Sequence, residues 1–210
     1  MTPPLSLFLL GASRGTGLEV AKLARSRGHQ VFTMIRTPSQ TLEDLGVIPF
    51  IGDALDKART AEVYRMCPGV DAVISTLGGS PDCPSPDYTG IVNLVDSISA
   101  SGKTPRLLLT SSLGAGESRA YASERLLAAL GTILEEKTKA EAYVAASGLP
   151  YTIIRPGRLL DQQATHTATL STDPSLHGSL SRADLAELIL ATLGDPDSIG
   201  QTYSAIDPAI

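Results

Sequence analysis

The chain has no tryptophan, two cysteines, three histidines and no excess of basic residues. Each scarcity removes a class of function. Cys67 and Cys83 supply neither a disulfide framework nor a set of metal ligands, and fit a reducing compartment. His166 and His177 stand too far apart and too isolated to mark a metal site. A net charge of -5 argues against a surface that neutralises nucleic-acid phosphates or an anionic membrane. The apolar run from Leu5 to Leu10 lacks a basic flank and is shorter than the ~7–15 residues of a secretory core. No other stretch approaches the ~18 apolar residues of a membrane span. These features predict a cytoplasmic protein whose partner is a small molecule rather than nucleic acid or membrane, acting as a monomer or homodimer.

What is present is the composition of a soluble globular protein: 42% hydrophobic and 19% charged over 210 residues, enough for one sizeable core and short for two. The apolar runs alternate with helical stretches. "LSLFLL", "QVFTMIR", "VIPFIGD", "VDAVIST", "RLLLTSS", "PYTIIRPG" and "TYSAI" read as strands. Between them, "GLEVAKLARSRG" places Leu18, Val20, Ala21, Leu23 and Ala24 near one helical face and stops at Gly28. Further helices are expected over "LDKARTAEVYRMC", "YTGIVNLVDSISASG", Leu130–Ser147 and "SRADLAELILATLGD", the last capped by Ser181. "LGAGESRAYAS" and "DQQATHTATLSTDPSLHG" read as irregular. Nearly continuous apolar strands separated by helices imply a parallel sheet covered on both faces. The expected fold is therefore α/β: a Rossmann-type, doubly wound parallel sheet in a single domain spanning residues 1–210.

Between the first strand and first helix lies "GASRGTG". A tight strand-to-helix turn lets backbone approach a diphosphate, and the helix N-terminus supplies N–H donors and a positive dipole end. Gly11 would permit the turn, Gly15 the close approach and Gly17 the helix packing, with Ser13, Arg14 and Thr16 beside the phosphates. An acidic residue closing the second strand would select a ribose 2′-hydroxyl. This chain has Arg36 there and Arg14 within the turn, a pair suited to a 2′-phosphate and so to NADP (NADPH) rather than NAD.

"GASRGTG", "GDALD", "TSS", "KTKAEAYVAASGLPYTIIRPG" and "SRADLAELIL" together resemble the short-chain dehydrogenase/reductase superfamily, in particular its small atypical NAD(P)H-binding members of the biliverdin reductase B and flavin reductase type. The resemblance runs from Leu5 to about Ile206. It implies that Asp53 and Ala54 contact the adenine, that the Ser75–Gly79 backbone, with Thr76, Leu77 and Gly78, lines the cofactor ribose, and that Pro156 and Gly157 pass beside the nicotinamide. Arg158 would then be free to point toward substrate.

In that superfamily a tyrosine four residues before a ribose-binding lysine donates the proton that hydride transfer to a carbonyl requires, assisted by a serine from the fifth strand. Counting back four residues from Glu141 gives Lys137, and four more give Ile133. The tyrosine is absent. The remaining catalytic candidates are Lys137, Ser111, Ser112 and, from the loop before the long helix, Tyr121. Conjugated or aromatic acceptors take hydride without a strong acid beside them, so the sequence predicts an NADPH-dependent reductase of such a substrate. Two alternatives stay open: a non-redox isomerase, dehydratase or cyclase that retains the cofactor, and an NADP-sensing regulator.

Overall fold

The structure, a computed structural model, describes residues 3–80, 82–83 and 85–210. The first half runs β1 (Ser6–Leu10), α1 (Gly15–Ser26), β2 (Gln30–Ile35), α2 (Gln40–Asp44), β3 (Ile48–Ile51), α3 (Lys57–Met66), β4 (Ala72–Ser75) and α4 (Ser85–Ala100). The second half runs β5 (Arg106–Thr110), a 3-10 turn (Gly116–Tyr121), α5 (Glu124–Ala145), β6 (Tyr151–Pro156), β7 (Arg158–Leu160), β8 (Thr169–Ser171), β9 (Ser179–Ser181), α6 (Arg182–Leu193) and β10 (Gln201–Ile206). Eight strands form one sheet in the order β3-β2-β1-β4-β5-β6-β10-β8. Every neighbouring pair in it is parallel except β10 with β8.

The apolar strand runs follow from burial on both faces. Leu7 and Leu9 of β1 enter a core with α1 and α6, whereas Phe8 and Leu10 enter a second core with α3, α4 and α5. The same alternation divides Val31 and Ile35 from Phe32 and Met34 in β2. A polar residue in the middle of such a strand would face one core or the other, which is why no polar/apolar alternation shows in the sequence.

Chain order reverses direction at β1, which is flanked by β2 on one side and β4 on the other. That reversal leaves a crevice at the carboxyl ends of the strands, the usual ligand position in open α/β sheets. Helix α1 is ended as its sequence implies. Gly28 has φ +82°, with its N–H on Arg25 and that of His29 on Ala24, at 3.0 Å each, which is a Schellman ending. Helix α5 corrects the sequence reading, for it starts at Glu124 rather than Leu130, where the Ser123 hydroxyl accepts from the Leu126 amide. The segment from Asp161 to Gly178, read as irregular, also holds β8, which joins the main sheet, and just after it β9 pairs in parallel with β7.

Candidate active site

The turn between β1 and α1 is built from backbone. Gly11 and Gly15 have φ of +88° and +55°, conformations that side chains resist. A β-carbon on Gly17 would stand 2.5 Å from the Thr76 hydroxyl and against the Gly11 carbonyl, so this glycine lets the helix lie directly on the strand ends. Arg14, at the N-cap position of α1, makes no side-chain cap bond, and the first helical turn holds no acidic residue. The leading amides of α1 thus keep unused donor capacity and an uncompensated positive dipole end. Beside them, Thr16 is 7% exposed, and its hydroxyl has no hydrogen-bond partner among the described residues.

This turn opens onto a cleft of about 810 Å³, within the roughly 300–1,000 Å³ of ligand pockets. Gly11, Ser13, Arg14, Gly15 and Thr16 line one end of it, and Arg36 borders them. Gly17 lies beneath rather than in the lining. Among the described residues, neither Arg14 nor Arg36 forms a side-chain ion pair, and Arg36 is exposed. Asp53 and Ala54 line the adjacent wall. An Asp53 oxygen accepts from the Leu55 amide at 3.0 Å, while the Ala54 carbonyl is fixed by Asn93 at 2.8 Å. Thr76, Leu77 and Gly78 follow β4 along the cleft, and the Thr76 hydroxyl donates to the Leu10 carbonyl at 3.1 Å, tying the β4 loop to β1.

Lys137, Ile133, Ser111, Ser112, Pro156 and Gly157 form the other end. Lys137 is no solvated helix lysine. Its Nζ lies 2.8 Å from Asp87 Oδ1, with side chains 14% and 0% exposed respectively. Asp87, on α4, also accepts the Gly79 amide at 2.7 Å, so one carboxylate holds both the lysine and the β4 loop. Ser111 borders the cleft, but its hydroxyl donates to buried Glu141. Glu141 in turn receives a two-pronged contact from Arg155 at 3.0 and 2.7 Å. The Ser112 hydroxyl donates to the Leu113 carbonyl at 3.0 Å. Tyr121 corrects an expectation: it ends the 3-10 turn, is 49% exposed and lies outside the cleft lining. Arg158 is likewise exposed on β7 and outside the lining. Ile133 is buried at the cleft wall with Leu130 beside it.

Residues 161–168, which begin beside Arg182 near the glycine turn, are fastened by carboxylates. Burial pushes the Asp184 carboxyl up, but hydrogen bonds from the Ser181 hydroxyl and the Thr165 and His166 amides outweigh it and hold it below its ordinary value. Asp207 is held down first by the Thr165 hydroxyl. His166 Nδ1 meets Glu187 at 2.9 Å, which raises the imidazole pKa. His166, Asp184 and Glu187 bring possible ligand atoms within 4.8 Å of one another. The Asp184 oxygens are already taken by amides and a hydroxyl, so the cluster is accounted for as a loop anchor.

Comparison with known proteins decides the family. The model of the NAD(P)H-binding family matches residues 11–196, from the glycine turn to the end of α6 and just beyond. The chain belongs to the NAD(P)H-binding family. ChuY of Escherichia coli O157:H7, an anaerobilin reductase, shares 35% identity and a TM-score of 0.90, with 98% of each chain covered. The uncharacterized sugar epimerase YhfK of Bacillus subtilis is 27% identical over 95% of this chain and 92% of its own. Protein TIC 62 of Pisum sativum is 35% identical over 79% of this chain, which spans only 32% of that longer protein.

For a member of the NAD(P)H-binding family, the cleft residues fit the cofactor. The uncapped α1 terminus and the unpartnered Thr16 hydroxyl suit a diphosphate, and the unpaired guanidinium groups of Arg14 and Arg36 suit a further anionic group. Lys137 meets Asp87 as an ion pair, and its ammonium donors remain available to a ligand. Asp87 escaped sequence reasoning because nothing near it in the chain marks it; only the packing of α4 on α5 joins it to Lys137. Arg182, at the first position of α6, also lines the cleft and was not singled out, since "SRAD" reads there as a helix start alone.

Proposed function

We propose that the chain is an NADPH-dependent reductase, of the short-chain dehydrogenase/reductase type, that delivers hydride to a small conjugated or aromatic substrate. The carrying observation is the chemistry of the cleft's catalytic end. Ile133 offers no proton, the Ser111 proton is engaged by Glu141, the Ser112 hydroxyl is turned to a backbone carbonyl, and Tyr121 is outside. The bound cofactor would supply hydride. Lys137, fixed by Asp87, orients the nicotinamide ribose, and Leu130 and Ile133 offer an apolar wall to a flat substrate. Flavins, quinones, enones and linear tetrapyrroles accept hydride without a strong neighbouring acid, with water completing the protonation. Two relatives support the redox direction: ChuY, and sanguinarine reductase of Eschscholzia californica, 34% identical over 51% of this chain. Arg14 and Arg36 support NADPH over NADH.

The partner is a small molecule, with no nucleic acid or membrane involved, and the protein acts as a monomer or homodimer in the cytoplasm. Among the described residues no helix is long and apolar enough to cross a membrane. Both thiols are free: burial pushes Cys67 up to about 12, and Cys83 is exposed at the cleft.

An acceptor panel at fixed NADPH tests the reading. Flavin, quinone or enone acceptors should drive NADPH oxidation, and unactivated ketones should lag far behind, because general acid catalysis commonly contributes about 10²–10⁴-fold. Brisk ketone reduction would mean that a proton donor operates after all. Tight cofactor binding with no acceptor consumed would instead favour a non-redox reaction, the direction in which the likeness to YhfK points.

A further inference from the structure

Arg182 follows the Ser181 cap, and its side chain reaches from α6 to the glycine turn. Its Nε stands 3.3 Å from the point that a β-carbon on Gly15 would occupy. The guanidinium therefore lies on the first residue of α1, at its uncapped terminus and next in the chain to Thr16, whose 7%-exposed side chain has no hydrogen-bond partner among the described residues. One arm is engaged elsewhere: Nη1 donates to Asp161 at 2.8 Å. That partnership is weakly held, because the Asp161 side chain is 86% exposed and such ion pairs contribute little in water. A diphosphate drawn to the α1 terminus would offer the same guanidinium a doubly anionic partner, with amide donors and a helix dipole already beneath it.

We propose that Arg182 is a diphosphate-binding residue of the cleft, and that Asp161 competes with the cofactor for it. The proposal rests on the nicotinamide cofactor reading, but not on the reaction or on the 2′-phosphate. It has a distinct signature. The diphosphate is common to NADH and NADPH, so Arg182 serves both equally, whereas Arg36 serves only the phosphorylated form.

The experiment is a fluorescence titration of the full chain with NADPH and with NADH, in wild type, Arg182→Ala, Arg182→Lys, Asp161→Asn and the Asp161→Asn/Arg182→Ala double variant. Thermal melts confirm that each is folded. Arg182→Ala should weaken both cofactors about tenfold and leave their ratio unchanged. Arg182→Lys should fall between, since a lysine keeps the charge but loses the planar fork. Asp161→Asn should tighten both about two- to threefold, and that gain should vanish in the double variant. Should Arg182→Ala fail to fold, the Asp161→Asn arm still decides. Unchanged affinity in Arg182→Ala, a loss confined to NADPH, or no gain in Asp161→Asn overturns the proposal. If wild type binds neither nucleotide, the cofactor reading itself falls; if binding persists with Arg36-dependent selectivity, only the role of Arg182 falls.

Discussion

Two ion pairs occupy successive turns of α5, one at the cleft wall and one in the interior beneath it. Lys137–Asp87 is a single contact, with a lysine partly open to the cleft. Glu141–Arg155 is doubly joined and sealed at 6–7% exposure, with the Ser111 hydroxyl on the same carboxylate. Gly116, at φ +53°, presses on it so closely that a β-carbon would collide with both partners. The interior pair is closed by two guanidinium contacts and the Ser111 hydroxyl and faces no cleft, whereas the wall pair lies where its ammonium donors can still reach a ligand. An ion pair sealed away from the cleft serves the fold alone, and one that lines it can still bind something.

The largest expected effect comes from breaking the interior pair. Arg155→Met leaves Glu141 charged and buried, and should cost about 3–5 kcal/mol of stability, read as a lowered denaturation midpoint. The cofactor affinity of the remaining folded protein should change little.

The wall pair should respond in the opposite way once its stability component is removed. Lys137→Ala strands a buried carboxylate, so it should lose both stability and NADPH affinity. The Asp87→Asn/Lys137→Met double variant should recover the stability, because the unpaired charge is gone and Asn still accepts from Gly79. Its affinity and turnover should remain low. A double variant that binds NADPH like wild type would make the wall pair architectural too.

Arg36 extends the comparison to a cation with no ion-pair partner among the described residues. NADPH should bind at least tenfold more tightly than NADH, about 1.4 kcal/mol, and Arg36→Ala should bring the two toward parity in calorimetric titration. Equal affinities in wild type would remove the case for NADP.

The smallest effect is on the 161–168 segment and depends on pH. The pKa of His166 is raised above 6.5 by Glu187, so its contribution is complete below 6.5 and is lost as pH rises through the elevated value. Asp184 and Asp207 are lowered from 3.8, so theirs is complete above 3.8 and is lost as pH falls through the depressed values. Hydrogen exchange at the Thr165 and His166 amides, corrected for intrinsic rates, should show most protection between these limits. Glu187→Gln should abolish the alkaline loss.

Local chemistry made much of this legible. The glycine turn, the ends of α1 and the Ser181 cap are each written within a few consecutive residues, and the two-faced burial of β1 is visible in five. The first turns of α5 are only partly buried, yet their start was legible, for Leu126, Leu127 and Leu130 continue the helical spacing of Ile133 and Leu134, and Ser123 before Glu124 is a cap signal. Asp87 and Lys137 lie 50 residues apart, and Arg182 reaches Gly15 from the other end of the chain. Partnerships of that kind arise from topology. For the same reason Ser111 could be placed at the cleft from sequence, while the direction of its hydroxyl could not.

Ile133 carries a consequence for the shape of the product. A side chain that donates protons also chooses the face on which they arrive, and an isoleucine chooses nothing. On the proposed chemistry, hydride reaches one carbon of a conjugated acceptor from the side fixed by the cleft, while its neighbour is protonated by water. One new stereocentre is then set by the protein and the adjacent one is left to the solvent. In deuterated water, the label at that second carbon should appear on both faces, giving a mixture of diastereomers.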